Sequence, residues 1–206
     1  MSDYRLVCRN HSKMHGSFAV YQSPPPTNSP GRLITLAWMA RPAAPNTRVT
    51  FSWSTVLSFI WGEAGYLRPG AIFEASQSVE GDPLRENVID LGQDSFGAPV
   101  FQNLRAGGPP GTMTINQLNT VFDFPVSVGI GMAGMPAYAA EANPNVSTSF
   151  IPHRNSYWVV FGGFSSGEAF ETGSISGALA VDFDRMTPTQ TVVLDIDNIL
   201  RLKSSR

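Results

Sequence analysis

The residues that could do chemistry in this chain are few, and the most suggestive group is rich in glycine. Gly129, Gly131 and Gly134 have the spacing of a dinucleotide-binding loop, which holds a pyrophosphate at the start of a helix. The segment follows a strand-like run, but Pro136 and Asn143–Pro144 leave room for about two helical turns at most. We therefore predict that Gly131 lies on a strand or bend, and we expect no cofactor.

The three histidines form neither a zinc site nor a catalytic triad by their spacing. His11 and His15 are four residues apart, but they precede a glycine and a strand, whereas zinc ligands at this spacing share one helical face. His153 and Arg154 lie together in a loop and could bind an anion. No histidine has a serine or cysteine context that suits nucleophilic catalysis, so we do not predict an enzyme.

Two aspartates near the C terminus, Asp195 and Asp197, superficially resemble the start of a calcium loop. The segment lacks the glycine at the sixth position and the final glutamate, which excludes an EF-hand. Alternation with Leu194 and Ile196 favours a strand whose carboxylates face water. A calcium ion held between loops stays open as an alternative.

The tryptophans are the most informative aromatic residues, because each brings a large apolar ring and one N–H that needs a partner. Trp53 and Trp61 lie in a strand–turn–strand segment with Phe51 and Phe59. Alternation predicts that Trp53 is buried between sheets, while stacking on a sugar is the other use of such rings. The residues that we assign to a small-ligand or glycan site are Trp61, Tyr66, His153 and Arg154.

The elements that must position these residues are strands, because the apolar residues mostly alternate. Turn-forming residues recur about every ten positions, which is typical of an antiparallel sandwich. We predict one all-β domain over residues 1–206, an antiparallel β-sandwich with little helix. Only Pro136–Ala142 and Ile199–Leu202 resemble helix. The predicted strands are Leu6–Cys8, Phe18–Tyr21, Leu33–Trp38, Val49–Trp53, Val56–Trp61, Ala71–Ala75, Glu86–Leu91, Val100–Leu104, Thr112–Ile115, Val126–Met132, Ser147–Ile151, Tyr157–Phe161, Ile175–Phe183 and Thr191–Ile196.

Composition limits the partners and the compartment. With 14 Lys+Arg against 16 Asp+Glu, the chain has a formal net charge of −2, so it lacks the basic field that nucleic acid requires. No apolar segment is long enough to span a membrane, and no secretory signal is recognisable at the start. Cys8 is the one cysteine, so no internal disulfide forms. We expect a cytoplasmic protein.

Low charge also predicts self-association. Charged residues make up 15% of the chain, and its two lysines, Lys13 and Lys203, lie near its ends, although lysine is the usual blocker of strand edges. The N-terminal strand, with Tyr4, Leu6 and Cys8, is the segment that we expect to exchange between copies. The polar loop Asn10–His15 is long enough to act as its hinge. Ordinary packing of this strand within its own chain is the alternative.

Several segments resemble the RhiA-like family of rhizosphere-expressed bacterial proteins in order and spacing. They include Phe59–Gly70, Ser127–Gly134, Phe150–His153 and Tyr157–Gly162. The matching segments span roughly residues 4–170, and the C-terminal residues resemble the family less. The resemblance implies a soluble bacterial protein whose expression is linked to cell density. It implies no reaction and no catalytic residues.

These observations lead to two predictions of function. The first is a non-enzymatic protein that self-associates, either as a closed homo-oligomer or as an open filament. The alternative is a β-sandwich module that binds a small ligand or a carbohydrate.

Overall fold

The computed structural model describes residues 3–25, 32–120, 122–153 and 155–203. Within these ranges the backbone forms strands β1 to β18, no α-helix and one 3-10 turn at Thr172–Ser174. The prediction of an all-β protein with little helix is confirmed. The strands are β1 (Asp3–Asn10), β2 (Gly16–Tyr21), β3 (Ile34–Leu36), β4 (Met39–Ala43), β5 (Arg48–Ser54), β6 (Leu57–Gly62), β7 (Gln77–Gly81), β8 (Val88–Gln93), β9 (Pro99–Arg105), β10 (Met113–Gln117), β11 (Ser127–Met132), β12 (Met135–Glu141), β13 (Val146–Phe150), β14 (Ser156–Gly162), β15 (Ala169–Phe170), β16 (Leu179–Asp182), β17 (Thr189–Leu194) and β18 (Leu200–Leu202).

The strands form four sheets, which we number I to IV. Sheet I has the order β18-β17-β1-β5, and sheet II has the order β16-β14-β2-β4. Sheet III is β13-β10-β8-β9, and sheet IV is β15-β3-β12-β11-β6-β7. Most neighbouring strands are antiparallel, as predicted, but β1 and β17 are parallel, and so are β8 and β10. No helix among the described residues is long and apolar enough to cross a membrane.

A continuous apolar core takes residues from all four sheets. Trp53 lies inside it with 4% of its surface exposed, which confirms its predicted burial. Its indole Nε1 donates a hydrogen bond to Tyr157 Oη at 3.0 Å, and Trp38 Nε1 donates one to the Met132 carbonyl at 2.9 Å. The core therefore supplies the polar partner that each buried indole needs.

Both segments that resembled helix are strands. Pro136–Ala142 falls mostly in β12, and Ile199–Leu202 falls mostly in β18. The cause in the first case is the two-residue turn before β12, where Ala133 and Gly134 both have positive φ angles, 51° and 77°. A turn of that kind joins two antiparallel strands, so pairing with β11 overrides the helix preference of the alanines.

Other element boundaries also differ from the predictions. Ala71–Ala75 is not a strand and makes only an isolated bridge between Ile72 and Glu168. Strand β4 was missed because Pro42 is a residue typical of turns, although proline is tolerated on an edge strand such as this one. Strand β7 was also missed, because its polar side chains alternate with few apolar ones.

The glycine segment is structural. Gly129 and Gly131 lie on β11, so the predicted placement of Gly131 is confirmed. A Cβ atom on Gly129 would collide with the backbone of Tyr138 on the neighbouring strand, and one on Gly131 would come within 2.8 Å of the Met135 carbonyl. The glycines therefore allow β11 and β12 to approach closely.

Candidate functional site

The predicted ligand residues do not gather in one place. Trp61 on β6 is buried, with 6% of its surface exposed, and its Nε1 donates to Gln77 Oε1 at 2.8 Å. The same Gln77 oxygen accepts the backbone N–H of Phe101 at 2.8 Å. Gln77 on β7 therefore links the Trp61 ring on β6 to β9, and the buried ring offers no free face for stacking.

Tyr66 is 55% exposed in the loop after β6. Arg32 forms an ion pair with Glu171 at 2.6 Å and also bonds the Tyr66 hydroxyl. These contacts, with Glu171 first, raise the pKa of the Arg32 guanidinium. Arg68 lies 6.0 Å from the centre of the Tyr66 ring.

His153 is exposed in the loop before β14, where its carbonyl accepts a hydrogen bond from Gln22 Nε2 at 2.7 Å. Arg154 lies outside the described residues. Among the described residues, no hydrogen bond or ring contact joins Trp61, Tyr66 and His153.

The residues predicted to mediate self-association lie inside the molecule. Tyr4, Leu6 and Cys8 on β1 point into the core. Strand β1 is paired on both sides within its own chain, with β17 and with β5. Burial raises the pKa of the Cys8 thiol far above its ordinary value, so the thiol stays protonated and unreactive. The N-terminal strand is therefore not an exposed edge.

The loop expected to act as a hinge is held in place by Asn10. Its buried side-chain Nδ2 donates to the carbonyls of Met14 at 2.8 Å and Ala43 at 3.0 Å. Its Oδ1 accepts the backbone N–H of Ser12 at 2.9 Å and the Ser12 hydroxyl at 2.7 Å. Because one buried amide satisfies groups of the loop and of β4, the loop has a fixed shape.

The aspartates near the C terminus stabilise a turn. Asp195 Oδ1 accepts the backbone N–H groups of Asp197 at 3.0 Å and Ile199 at 2.9 Å, while Oδ2 accepts Arg201 Nε at 2.7 Å. These contacts, with the Ile199 N–H first, lower the pKa of Asp195. No group of three metal-ligating side chains is found within the described ranges.

The edges of the four sheets differ in how they are protected. A charged residue or a proline lies on most of them, as on β4, β5, β7, β9, β16 and β18. Several edges also lie against another strand, β4 against β5, β7 against β9 and β16 against β18. Strand β15 has only two residues, flanked by Glu168 and Glu171.

Strand β13 is the exception. It is an edge of sheet III, and its five residues, Val146–Phe150, include no charge and no proline. Its side chains are fixed on the β10 side. Ser147 Oγ donates to Asn116 Oδ1 at 2.8 Å, and Ser149 Oγ lies 2.8 Å from Thr114 Oγ1. The opposite edge of β13 pairs with no other strand of the described residues.

Sheet III also carries a buried carboxylate, on its inner strand β8. Asp90 on β8 accepts hydrogen bonds from Arg105 Nη2 at 2.9 Å, Asn116 Nδ2 at 2.9 Å and Asn103 Nδ2 at 3.0 Å. Burial by itself would raise the pKa of Asp90, but the bonds from Arg105, Asn116 and Asn103 together outweigh it and lower the pKa. The network links β8, β9 and β10.

A cleft of about 380 Å³ opens at one end of sheets III and IV. Its walls are the loop from β10 to β11 and the loop from β12 to β13. Gln117, at the end of β10, links β10 to β13 and to the loop from β12 to β13, because its Nε2 donates to Thr148 Oγ1 at 2.9 Å and its Oε1 accepts the backbone N–H of Asn143. The cleft is also lined by two aromatic and two acidic residues, Phe122, Phe124, Asp123 and Glu141.

Sequence reasoning missed both surfaces. Ser147–Ile151 was predicted as a strand, but an edge position depends on strand order, which one sequence does not reveal. No strand or site was predicted at Phe122–Pro125, although two phenylalanines flanking an aspartate between strands is an unusual loop composition. That composition was the available signal for the cleft.

The described residues first define a class, an all-β protein of four sheets with an edge strand, β13, that carries no charge and no proline, and with a cleft bordered by two carboxylates. The chain belongs to the RhiA family, whose model, described as RhiA, matches residues 1–205. It is 32% identical over 166 residues to Protein RhiA of Rhizobium leguminosarum bv. viciae, in an alignment that covers 78% of this chain and 68% of that protein. No solved structure matches the chain. The family resemblance seen in the sequence is confirmed.

Proposed function

We propose that this protein is a non-enzymatic, self-associating protein whose copies pair through the edge of β13. One observation carries the proposal: β13 is an uncharged edge strand without proline, whereas the other sheet edges are charged, interrupted, very short or placed against another strand. An unprotected edge of this kind is a template for pairing with a second chain. This surface replaces the N-terminal strand as the proposed contact.

The sequence of β13 suits antiparallel pairing with itself. If the two-fold axis passes through Thr148, then Val146 faces the partner's Phe150, and Ser147 faces the partner's Ser149. Apolar residues then meet on the core side of the extended sheet, and hydroxyls meet on the solvent side. No like charges are opposed, and pairs of these types stabilise a sheet.

Pairing of the β13 edge with itself favours a closed dimer over a filament. A contact in which one edge pairs with itself is isologous, so it uses up the edge in both copies. An open filament needs a second, different unprotected edge, and the described strands offer none of comparable length without charge. We therefore propose a two-fold dimer with sheet III continuous across it.

A dimer joined by a five-residue strand will depend on concentration. The family resemblance implies expression linked to cell density, and higher protein concentration would shift such an equilibrium toward the dimer. We propose a cytoplasmic location, which suits a chain with one cysteine, buried and unpaired.

The test is sedimentation equilibrium at micromolar concentration, with circular dichroism to check folding. In S147K/S149K the substituted positions face each other across the axis, so like charges should convert the dimer to monomer. The control S76K/S78K adds the same charge at the same spacing beside and on β7, and it should stay dimeric. A monomeric wild-type protein, or a dimer that S147K/S149K leaves intact, would refute the proposal.

A further inference from the structure

The cleft at the end of sheets III and IV has a charge of one sign. Asp123 and Glu141 are exposed on its walls, and no Lys, Arg or His is among the described residues that line it. Neither carboxylate has an ion-pair partner within the described ranges. The cleft therefore repels anions and attracts a positive group.

Two aromatic rings give the cleft its apolar surface. Phe122 is half-buried against the core, and Phe124 is 37% exposed. Aromatic faces attract cations as well as hydrocarbon, and recognition of ammonium groups commonly combines such rings with nearby carboxylates.

Gln117 and Leu118 use their polar groups within the protein. Both ends of the Gln117 amide are used to hold Thr148 and Asn143. Leu118 donates its backbone N–H to the Leu91 carbonyl at 3.0 Å and accepts the backbone N–H of Asn145 at 3.3 Å. A neutral sugar needs several free donors and acceptors for its hydroxyls, so charge and aromatic surface are the main features left for recognition.

We infer that this cleft binds a small organic cation, with its ammonium group near Asp123 and Glu141 and its carbon groups against Phe122 and Phe124. The volume of about 380 Å³ lies near the lower end of the range for small-molecule sites, which limits the ligand to a compact molecule. The inference does not depend on the β13 dimer, because its argument uses only the walls of the cleft.

The experiment compares two probes of the same shape by calorimetric titration. Choline carries a trimethylammonium group, and its neutral isostere carries a tert-butyl group in that place. We expect choline to bind roughly tenfold more tightly than the isostere, with an affinity that falls as salt rises. Equal binding of the two probes, or no binding of choline at millimolar concentration, would overturn the inference.

Variants locate the site. D123N/E141Q should weaken choline binding by roughly tenfold, because each neutralised carboxylate removes an exposed charge contact. The control D197N removes an exposed carboxylate on the turn between β17 and β18, away from the cleft walls, and it should bind choline like the wild type. Unchanged binding by D123N/E141Q, with folding confirmed by circular dichroism, would exclude the cleft as the site.

Discussion

At the scale of single residues, the indole N–H groups of the core are buried and hydrogen-bonded. Trp53 shows this within the core, because its ring contacts Trp38, Tyr157 and Phe183 edge-on and its Nε1 has a defined acceptor. Edge-on contacts of this kind add to the free energy gained from burying the ring.

Two substitutions of Trp53 distinguish the contribution of the ring to stability from that of its hydrogen bond. Trp53→Ala should lower the free energy of unfolding by about 3–5 kcal/mol, since it leaves a cavity in the core. Trp53→Phe keeps a ring but removes the hydrogen bond from Trp53 Nε1 to Tyr157 Oη, so we expect a smaller loss of about 1–3 kcal/mol. Urea unfolding measures both, and a loss below about 1 kcal/mol for Trp53→Ala would contradict the placement.

The lowered pKa of Asp90 predicts that the stability of the protein depends on pH. The pKa of Asp90 is lower in the folded protein than in the unfolded chain. Its contribution to the free energy of unfolding is therefore present above the unfolded pKa of 3.8 and is lost as the pH falls through the folded value. At neutral pH, Asp90→Asn should destabilise by roughly 1–2 kcal/mol, because charge-assisted bonds to Arg105, Asn103 and Asn116 are weakened.

The measurement for Asp90 is urea unfolding as a function of pH. The difference between wild type and Asp90→Asn should narrow as the pH falls below about 4, where the carboxyl loses its charge. Asp197→Asn, at an exposed carboxylate, serves as the control. A difference that stays constant through the acid range would show that the Asp90 charge does not act through this network.

At the scale of elements, the sequence predicted most strands but not their neighbours. Alternation located β1 and β5, which bury side chains at about every second residue. It also located β8 and β11, which are covered on both faces. It mistook β12 for helix, since its alanines carry no strand signal and the pairing with β11 is specified by the turn at Ala133 and Gly134.

The position of β1 shows the same limit on what local pattern can reveal. Its alternation correctly placed Tyr4, Leu6 and Cys8 on one face, but the sequence gives no sign that β17, at the other end of the chain, pairs with it. The two surfaces that we regard as functional depend on such long-range pairing. The sequence therefore predicted the type of fold better than the site.

Asn10 ties β1 and its following loop to β4, and its replacement tests that connection. Asn10→Ala should destabilise by about 2–4 kcal/mol, because it removes hydrogen bonds from the buried Ala43 carbonyl, the part-buried Met14 carbonyl and the buried Ser12 N–H. Hydrogen exchange should also quicken in the loop Asn10–His15. The control is Asn119→Ala at an exposed amide, and equal stability of the two variants would contradict the role of Asn10.

At the scale of the whole molecule, four sheets share one core while their edges differ in protection. The net charge of −2 gives copies little mutual repulsion, so in the proposed dimer we expect the protection of individual edges to decide which strands pair. With β1 enclosed and β13 open, we expect association without exchange of strands between copies. Membership of the RhiA family does not itself specify an assembly.

The most direct test of this account is complementary charge exchange across the proposed axis. S147K/S149K and S147E/S149E should each be monomeric when measured alone by sedimentation equilibrium, because like charges would be opposed. Mixed in equal amounts, they should form a mixed dimer, because each charge then faces its opposite. If each variant alone associates like the wild type, or if the mixture stays monomeric while the wild type is a dimer, antiparallel pairing through β13 is wrong.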